Sequence, residues 1–165
     1  LAPEFPADKV APLGLELTYQ FRQSMGRRVV AEGGREVILE LYKRGYVLGI
    51  ISNVITSREI PDWLVEDGLE KYFKSLALSS VLGIRKPDPR IYNYATDTAG
   101  VKPENCVYVG DNLNRDVVGT KEAGFGMVII IQDEREAVEK VTVQVEPDIV
   151  IHKLVELLDI FPPRK

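Results

Sequence analysis

A chain of 165 residues with 45% apolar and 28% charged residues has the size and composition of one ordinary globular domain, which excludes a largely disordered protein. Its 21 basic and 25 acidic residues leave a formal charge of -4 without a sustained basic run, arguing against nucleic acid or an anionic membrane as the main partner. One cysteine, Cys106, rules out an internal disulfide and a cysteine-held metal cluster within a single chain, and no apolar run approaches the length of a membrane span.

The N-terminus, Leu1-Ala2-Pro3-Glu4-Phe5-Pro6, lacks the basic start and apolar stretch of a signal peptide, so a cytoplasmic location is the expectation. The Leu start suggests that upstream sequence has been removed. A proline-rich lead-in is followed by a short amphipathic helix over Leu15 to Met25. From Gly34 the pattern becomes regular. Residues Arg35 to Arg44 place Val37, Ile38 and Leu41 on one helical face, and Gly45 suits the left-handed turn that closes such a helix. Tyr46 to Ser52 carries the apolar run of a buried strand. Thr56 to Glu66 reads as a helix with a capping box from Thr56 to Glu59, although Pro61 lies in its first turn.

Ser75 to Ser79 is a short strand. Asp88-Pro89 has the form of an N-cap with proline at the first helical position, and Ile91, Tyr94, Ala95 and Thr98 continue one face until Gly100. Cys106 to Val109 is the next strand, Asp116 to Ala123 a helix stopped by Gly124, and Met127 to Ile131 another strand. Residues 133–147 are mixed, with a charged helical turn and a polar crossing segment. Asp148 to Ile151 reads as an edge strand and His152 to Phe161 as a last helix, with Leu154, Leu157, Leu158 and Phe161 inward. Alternating strands and helices with short connections predict a three-layer α/β fold around a mostly parallel sheet.

Ligands of such folds sit beyond the carboxyl ends of the strands. That directs attention to Ser52-Asn53, Ser79-Ser80, Gly110-Asp111 and Gln132-Asp133. The Ser52 hydroxyl and the backbone N–H groups near Asn53 can hold a phosphoryl oxygen. Lys86, on a loop stiffened by Pro87 and Pro89, can neutralise charge gathering on a phosphoryl group, and its neighbour Arg85 is the natural control. Asp111 and Asp116 supply two hard oxygen ligands for a cation such as magnesium, and Gly110 lets the backbone turn closely beneath a bound group. Singly, each feature also has a plain structural explanation as a turn cap, a solvent-facing lysine or a helix cap. Their order along one sheet edge makes independent explanations weak.

The run Ile51-Ser52-Asn53, the stretch Gly83-Ile84-Arg85-Lys86-Pro87-Asp88-Pro89-Arg90-Ile91-Tyr92, and Val109-Gly110-Asp111-Asn112-Leu113-Asn114-Arg115-Asp116 with Lys121-Glu122-Ala123-Gly124 downstream closely resemble the haloacid dehalogenase-like (HAD) hydrolases, especially their phosphatases. The resemblance runs from Gly34 to Gly126 and loosely onward to the last helix. It implies a Rossmann-like fold. It assigns Ser52 and Asn53 to phosphate binding, Lys86 to steadying phosphate and nucleophile, and Asp111 and Asp116 to magnesium, for hydrolysis of a small phosphorylated metabolite.

The family's first motif, two aspartates spaced Asp-x-Asp at the end of the first strand, has no counterpart here. Asp8 is the only aspartate before Asp62, and no strand precedes it. By the same resemblance, the absent strand would lie between those ending at Asn53 and Gly110, and this polypeptide alone would be a poor phosphatase. A truncated chain, an N-terminal segment or second chain that completes the site, and a non-catalytic binding or scaffold domain are the explanations that remain. Residues 1–33 read as the remnant of a cap or its linker, with Phe21, Met25 and Arg27-Arg28 as candidate substrate-facing groups, and residues 34–165 as the core. Haloacid dehalogenase chemistry is the other catalytic alternative, less favoured because it has no need of the Asp111 and Asp116 metal ligands.

Overall fold

The computed structural model describes residues 6–27, 29–132 and 146–164. Two short turns, α1 (Ala7–Val10) and a 3-10 turn, lead into α2 (Gly14–Ser24). The remaining order is α3 (Gly34–Lys43), β1 (Leu48–Ser52), α4 (Glu59–Glu66), β2 (Phe73–Leu78), α5 (Ser79–Leu82), α6 (Pro89–Ala99), β3 (Val107–Gly110), α7 (Val118–Glu122), β4 (Met127–Ile131), β5 (Ile149–Ile151) and α8 (Leu157–Ile160). Asp133 and most of the 133–147 segment fall outside the described residues, as do Leu1 to Phe5 and Arg28.

All three strand pairings among the described residues are parallel. They form a two-stranded sheet, β1-β2, and a three-stranded sheet, β3-β4-β5. The side chains of β4 show why its run is continuously apolar. Val128 and Ile130 enter a core with Ile91, Tyr92 and Ala95 of α6 and with Val117 and Ala123 around α7. Ile129, pointing the other way, joins Val37 of α3, Ile151 of β5 and Leu157 of α8. Successive strand residues face opposite sides, so a strand covered by helices on both faces must be apolar at every position. The result is the expected Rossmann-like three-layer arrangement.

Among the described residues, β1 and β3 each have one side without a hydrogen-bonded strand. Helix α6 bridges the two sheets: it packs on β1 and β2 while its Tyr92 meets Tyr108 of β3 edge to face, ring centroids 5.5 Å apart.

Several local expectations need correction. The buried face of α6 is Ile91, Tyr92, Ala95 and Thr96, and Tyr94 is exposed. A helix wedged between strands and α7 buries a wider stripe than a single-faced pattern predicts. Thr56 and Glu59 form no capping box. Thr56 Oγ1 accepts the Arg58 N–H at 3.0 Å, while Glu59 opens α4 and turns its carboxylate to Arg22. Pro61 is tolerated because first-turn N–H groups have no intrahelical partner to lose. Asp116 sits inside a π-helical turn, Leu113–Val117, rather than starting a helix. The last helix is shorter than expected, a 3-10 turn at Leu154–Glu156 followed by α8, yet Leu154, Leu157, Leu158 and Phe161 all join the core as anticipated. Two other expectations hold as written. Asp88 accepts the Arg90 N–H as the N-cap of α6, and Gly45, with φ at 86°, takes the left-handed turn after α3.

Candidate functional site

Three strand ends and one loop converge. Ser52, the last residue of β1, is half-buried. The next residue reaches across to the loop after α5. Asn53 Oδ1 accepts the main-chain N–H of Lys86 at 2.9 Å, and Asn53 Nδ2 donates to the Lys86 carbonyl at 3.1 Å. Ser79, at the end of β2, ties down the same region by accepting the Val54 N–H and donating to the Val54 carbonyl. Its hydroxyl serves that turn, and Ser80 is exposed. Gln132 follows β4, and its carbonyl lies 3.0 Å from His152 Nδ1.

Lys86 and Arg85, indistinguishable in sequence, are separated by burial. Arg85 is exposed, whereas Lys86 is 8% exposed and carries its ammonium inward. There Lys86 Nζ lies 2.9 Å from Asp116 Oδ1 and donates to the Tyr108 hydroxyl at 2.6 Å. Asp116 is fully buried. Besides Lys86, its Oδ1 meets the Tyr108 hydroxyl and Arg115 Nε, each at 3.3 Å, and its Oδ2 accepts the main-chain N–H groups of Asp111 at 3.3 Å and Asn112 at 3.2 Å. The π turn brings the carboxylate back over its own approach loop. Asn112 caps that turn by accepting the Arg115 N–H at 2.8 Å.

The electrostatics follow from this packing. Burial works against a charged Asp116, but the charge and hydrogen bond of Lys86, then Arg115 and the Asn112 N–H, outweigh it and hold the carboxyl below its usual value. Burial first, and then the negative charge of Asp116, push the Tyr108 phenol up, so that it remains a hydrogen-bond donor. Asp111 contrasts with Asp116. Its side chain is 79% exposed, with Arg115 Nη2 at 3.4 Å from its Oδ1.

Gly110 is where these groups crowd together. A Cβ there would lie 2.5 Å from Asp116 Oδ2 and 2.7 Å from Tyr108 Cε1, so only glycine fits. Gly110→Ala is expected to lower the unfolding free energy by about 1–3 kcal/mol, measured by urea denaturation, because this packed centre has no flexible neighbour to yield.

The structure therefore brings Asn53, Lys86 and Asp116 into one bonded set, with Ser52 and Asp111 at the adjoining strand ends. Two participants escaped the sequence reading, Tyr108 and Arg115. The available signal for Tyr108 was an aromatic with a polar tip inside an apolar strand, two residues before Gly110-Asp111, since a buried tyrosine hydroxyl requires a partner.

The sequence profile described as haloacid dehalogenase-like hydrolase matches residues 8–124, well over half the chain. The chain belongs to the haloacid dehalogenase-like hydrolases. It is 32% identical over 125 residues to the glyceraldehyde 3-phosphate phosphatase of Methanopyrus kandleri, covering 74% of this chain and 52% of that protein. The HAD phosphatase of Thermococcus onnurineus superposes with a TM-score of 0.65 at 28% identity, over 77% of this chain and 55% of that one. A 2-haloacid dehalogenase of Pseudomonas syringae superposes with a TM-score of 0.76 at 25% identity, over 95% of this chain and 64% of that one. This HAD chain spans about half the length of the curated relatives it matches.

Proposed function

We propose that this chain carries the phosphate- and magnesium-binding half of a phosphatase for small-molecule phosphomonoesters. The observation that supports this most is the buried Lys86 ammonium, held against Asp116 and the Tyr108 hydroxyl on a loop tied to Asn53, the residue after β1. A cation kept out of water with a single carboxylate counter-ion is suited to a polyanionic guest, because its field is weakly screened. The named activities of two relatives, glyceraldehyde 3-phosphate phosphatase and phosphoserine phosphatase, point to the same substrate class.

In this reading Ser52 and the N–H groups near Asn53 bind phosphoryl oxygens, and Lys86 neutralises the charge that builds on them. The aspartate nucleophile that would form an aspartyl-phosphate, with its acid-base partner, comes from residues outside Leu1 to Lys165. These would be carried on a strand placed between β1 and β3. Residues 1–33 are the remnant of the cap or its linker.

Magnesium fits the donors in kind, since it is commonly held by one or two carboxylates completed by water and phosphate oxygens. Among the described residues no group of three or more His, Cys, Asp or Glu is placed to hold a metal ion by itself. Asp111, exposed and lightly paired, would be the direct ligand, and Asp116, buried and already saturated by protein donors, would contribute its charge from behind or through water. When bound, the ion would supply positive charge to the phosphoryl oxygens. The chain has no helix long and apolar enough to cross a membrane among its described residues.

Calorimetry with magnesium and inorganic phosphate tests the proposal. Both should bind, and Asp111→Asn should weaken magnesium at least about tenfold, the loss of one charged ligand. The gene product with its upstream residues should release phosphate from small phosphomonoesters with magnesium, and residues 1–165 alone should not. Magnesium-dependent turnover by residues 1–165, lost in Asp111→Asn, would overturn the assignment of the nucleophile to another segment. Absence of both binding heats would favour a scaffold. Metal-independent halide release from a 2-haloacid would favour the dehalogenase chemistry of the Pseudomonas relative.

A further inference from the structure

We propose that Asn53 and Tyr108 are positioning residues that grip Lys86 at its two ends and aim its ammonium before any phosphate arrives. The inference rests on the reading of Lys86 as the phosphate-binding cation and adds how the fold prepares it.

A lysine side chain is a poor instrument for placing charge. Its four-carbon stem has many rotamers, and its ammonium is as well satisfied by water as by protein. Here both sources of freedom are removed. At the backbone end, the Asn53 side chain closes a two-bond ring on Lys86, with the N–H donating to Oδ1 at 2.9 Å and Nδ2 donating to the carbonyl at 3.1 Å. Residues 33 apart in sequence are thereby joined through both main-chain polar groups of one residue. A side-chain amide such as that of Asn53 suits this, because the ring needs an acceptor and a donor on the same side chain.

At the ammonium end, Tyr108 accepts from Nζ at 2.6 Å and directs its own O–H to Asp116 Oδ1 at 3.3 Å, while Nζ meets the same oxygen at 2.9 Å. The three groups form a closed triangle. The tyrosine itself has little freedom, since its ring stands edge to face with Tyr92 and Phe125, centroids 5.5 and 6.3 Å away. Gly110 packs below it. An ammonium has three donors, and the triangle uses two. The third N–H is the one offered to a phosphoryl oxygen, and its direction is set by the other two.

Asn53 therefore does more than lend backbone to an anion site, and Tyr108 does more than fill the core. Tyr108→Phe keeps the ring packing and removes the hydroxyl that accepts from Lys86 Nζ and donates to Asp116 Oδ1. Asn53→Asp keeps the acceptor for the Lys86 N–H and removes the donor to its carbonyl, and Asn53→Ala removes both.

The experiment measures inorganic phosphate affinity by calorimetry in the presence of magnesium for residues 1–165. Thermal midpoints and the 15N resonance of the Lys86 ammonium are recorded alongside. Tyr108→Phe should weaken phosphate about tenfold, as for one hydrogen bond to a charged group, and Asn53→Ala, which loses two hydrogen bonds to the Lys86 main chain, should weaken it about as much. Asn53→Asp should bind phosphate no better than Asn53→Ala, because its carboxylate faces the Lys86 carbonyl and adds negative charge beside the anion, and the ammonium resonance should broaden or vanish in Tyr108→Phe. Lys86→Met is the reference and should abolish phosphate binding. If Lys86→Met binds phosphate like the parent, the phosphate reading itself fails. If Lys86→Met is dead while Tyr108→Phe and Asn53→Ala bind normally and keep the ammonium resonance sharp, only the positioning role fails. Should either of those two variants not fold, Asn53→Asp carries the test, and parental affinity in that variant overturns the grip at Asn53.

Discussion

Asp116→Asn is expected to lower the unfolding free energy by about 3–5 kcal/mol at neutral pH, the cost of leaving a buried charge without its partner. The carboxylate is fully buried and receives Lys86, Tyr108, Arg115 and two main-chain N–H groups. An asparagine is nearly isosteric, yet whichever way its amide turns, an NH2 faces N–H groups that were donating to an oxygen. It also leaves the Lys86 ammonium, 8% exposed, without a counter-charge. The parent's pH dependence has a definite sign. The folded pKa of Asp116 lies below its usual value, so the carboxylate's contribution is fully present above about pH 4, the ordinary aspartate range, and is lost as pH falls through the folded pKa. Urea titrations from neutral to acid pH should show the parent losing stability on that limb and Asp116→Asn losing less. Parallel acid limbs would show that the pair is not ionised in the folded protein.

Arg22→Met should have the second large effect, concentrated on α2. Arg22 Nε lies 3.1 Å from Glu59 Oε1, with both side chains buried, and Glu59 Oε2 has no protein partner among the described residues. Removing the guanidinium strands a buried carboxylate, again about 3–5 kcal/mol. Little else resists detachment of this helix. Its Leu15, Leu17 and Phe21 are exposed, and among the described residues its other anchors lie at the periphery: Tyr19 donates to Asp62 at 2.6 Å and lies under the Arg58 guanidinium at 3.8 Å, Glu16 meets Arg58 at 3.0 Å, and Arg22 itself lies over Trp63 at 5.2 Å. Exposed ion pairs are weak, so the helix is expected to open locally rather than to unfold the core. Hydrogen exchange should speed up over Gly14–Ser24 and remain slow in β4. The double variant Arg22→Met, Glu59→Leu should recover to within about 1 kcal/mol of the parent, because replacing both members of a buried pair by apolar groups is often neutral. Protected α2 amides in the single variant would sink this account.

Much of the fold was legible in the residues. The run from Met127 to Ile131 has no polar break because helices cover both its faces, and a pattern of that kind needs no tertiary information to be recognised. Asp88-Pro89 and Gly45 announced a helix start and a helix end through preferences that belong to single residues. Where the sequence reading erred, the error was one of competition. Glu59 had a local task as a capping partner and was drawn to Arg22, 37 positions away. Asp116 was expected to open a helix and was taken into a π turn that folds it over Asp111 and Asn112.

The same division runs through the site. The sequence by itself determined which chemical groups stand at the strand ends, because strand, turn and capping preferences act over a few residues and bring Ser52, Lys86, Asp111 and Asp116 to one edge. Only the tertiary structure decided that Lys86 and not Arg85 is buried, that Asn53 holds its backbone, and that Tyr108 joins it to Asp116. Those contacts link residues on separate elements, and a buried charge takes whichever partner the packing of strands and helices sets within hydrogen-bond reach.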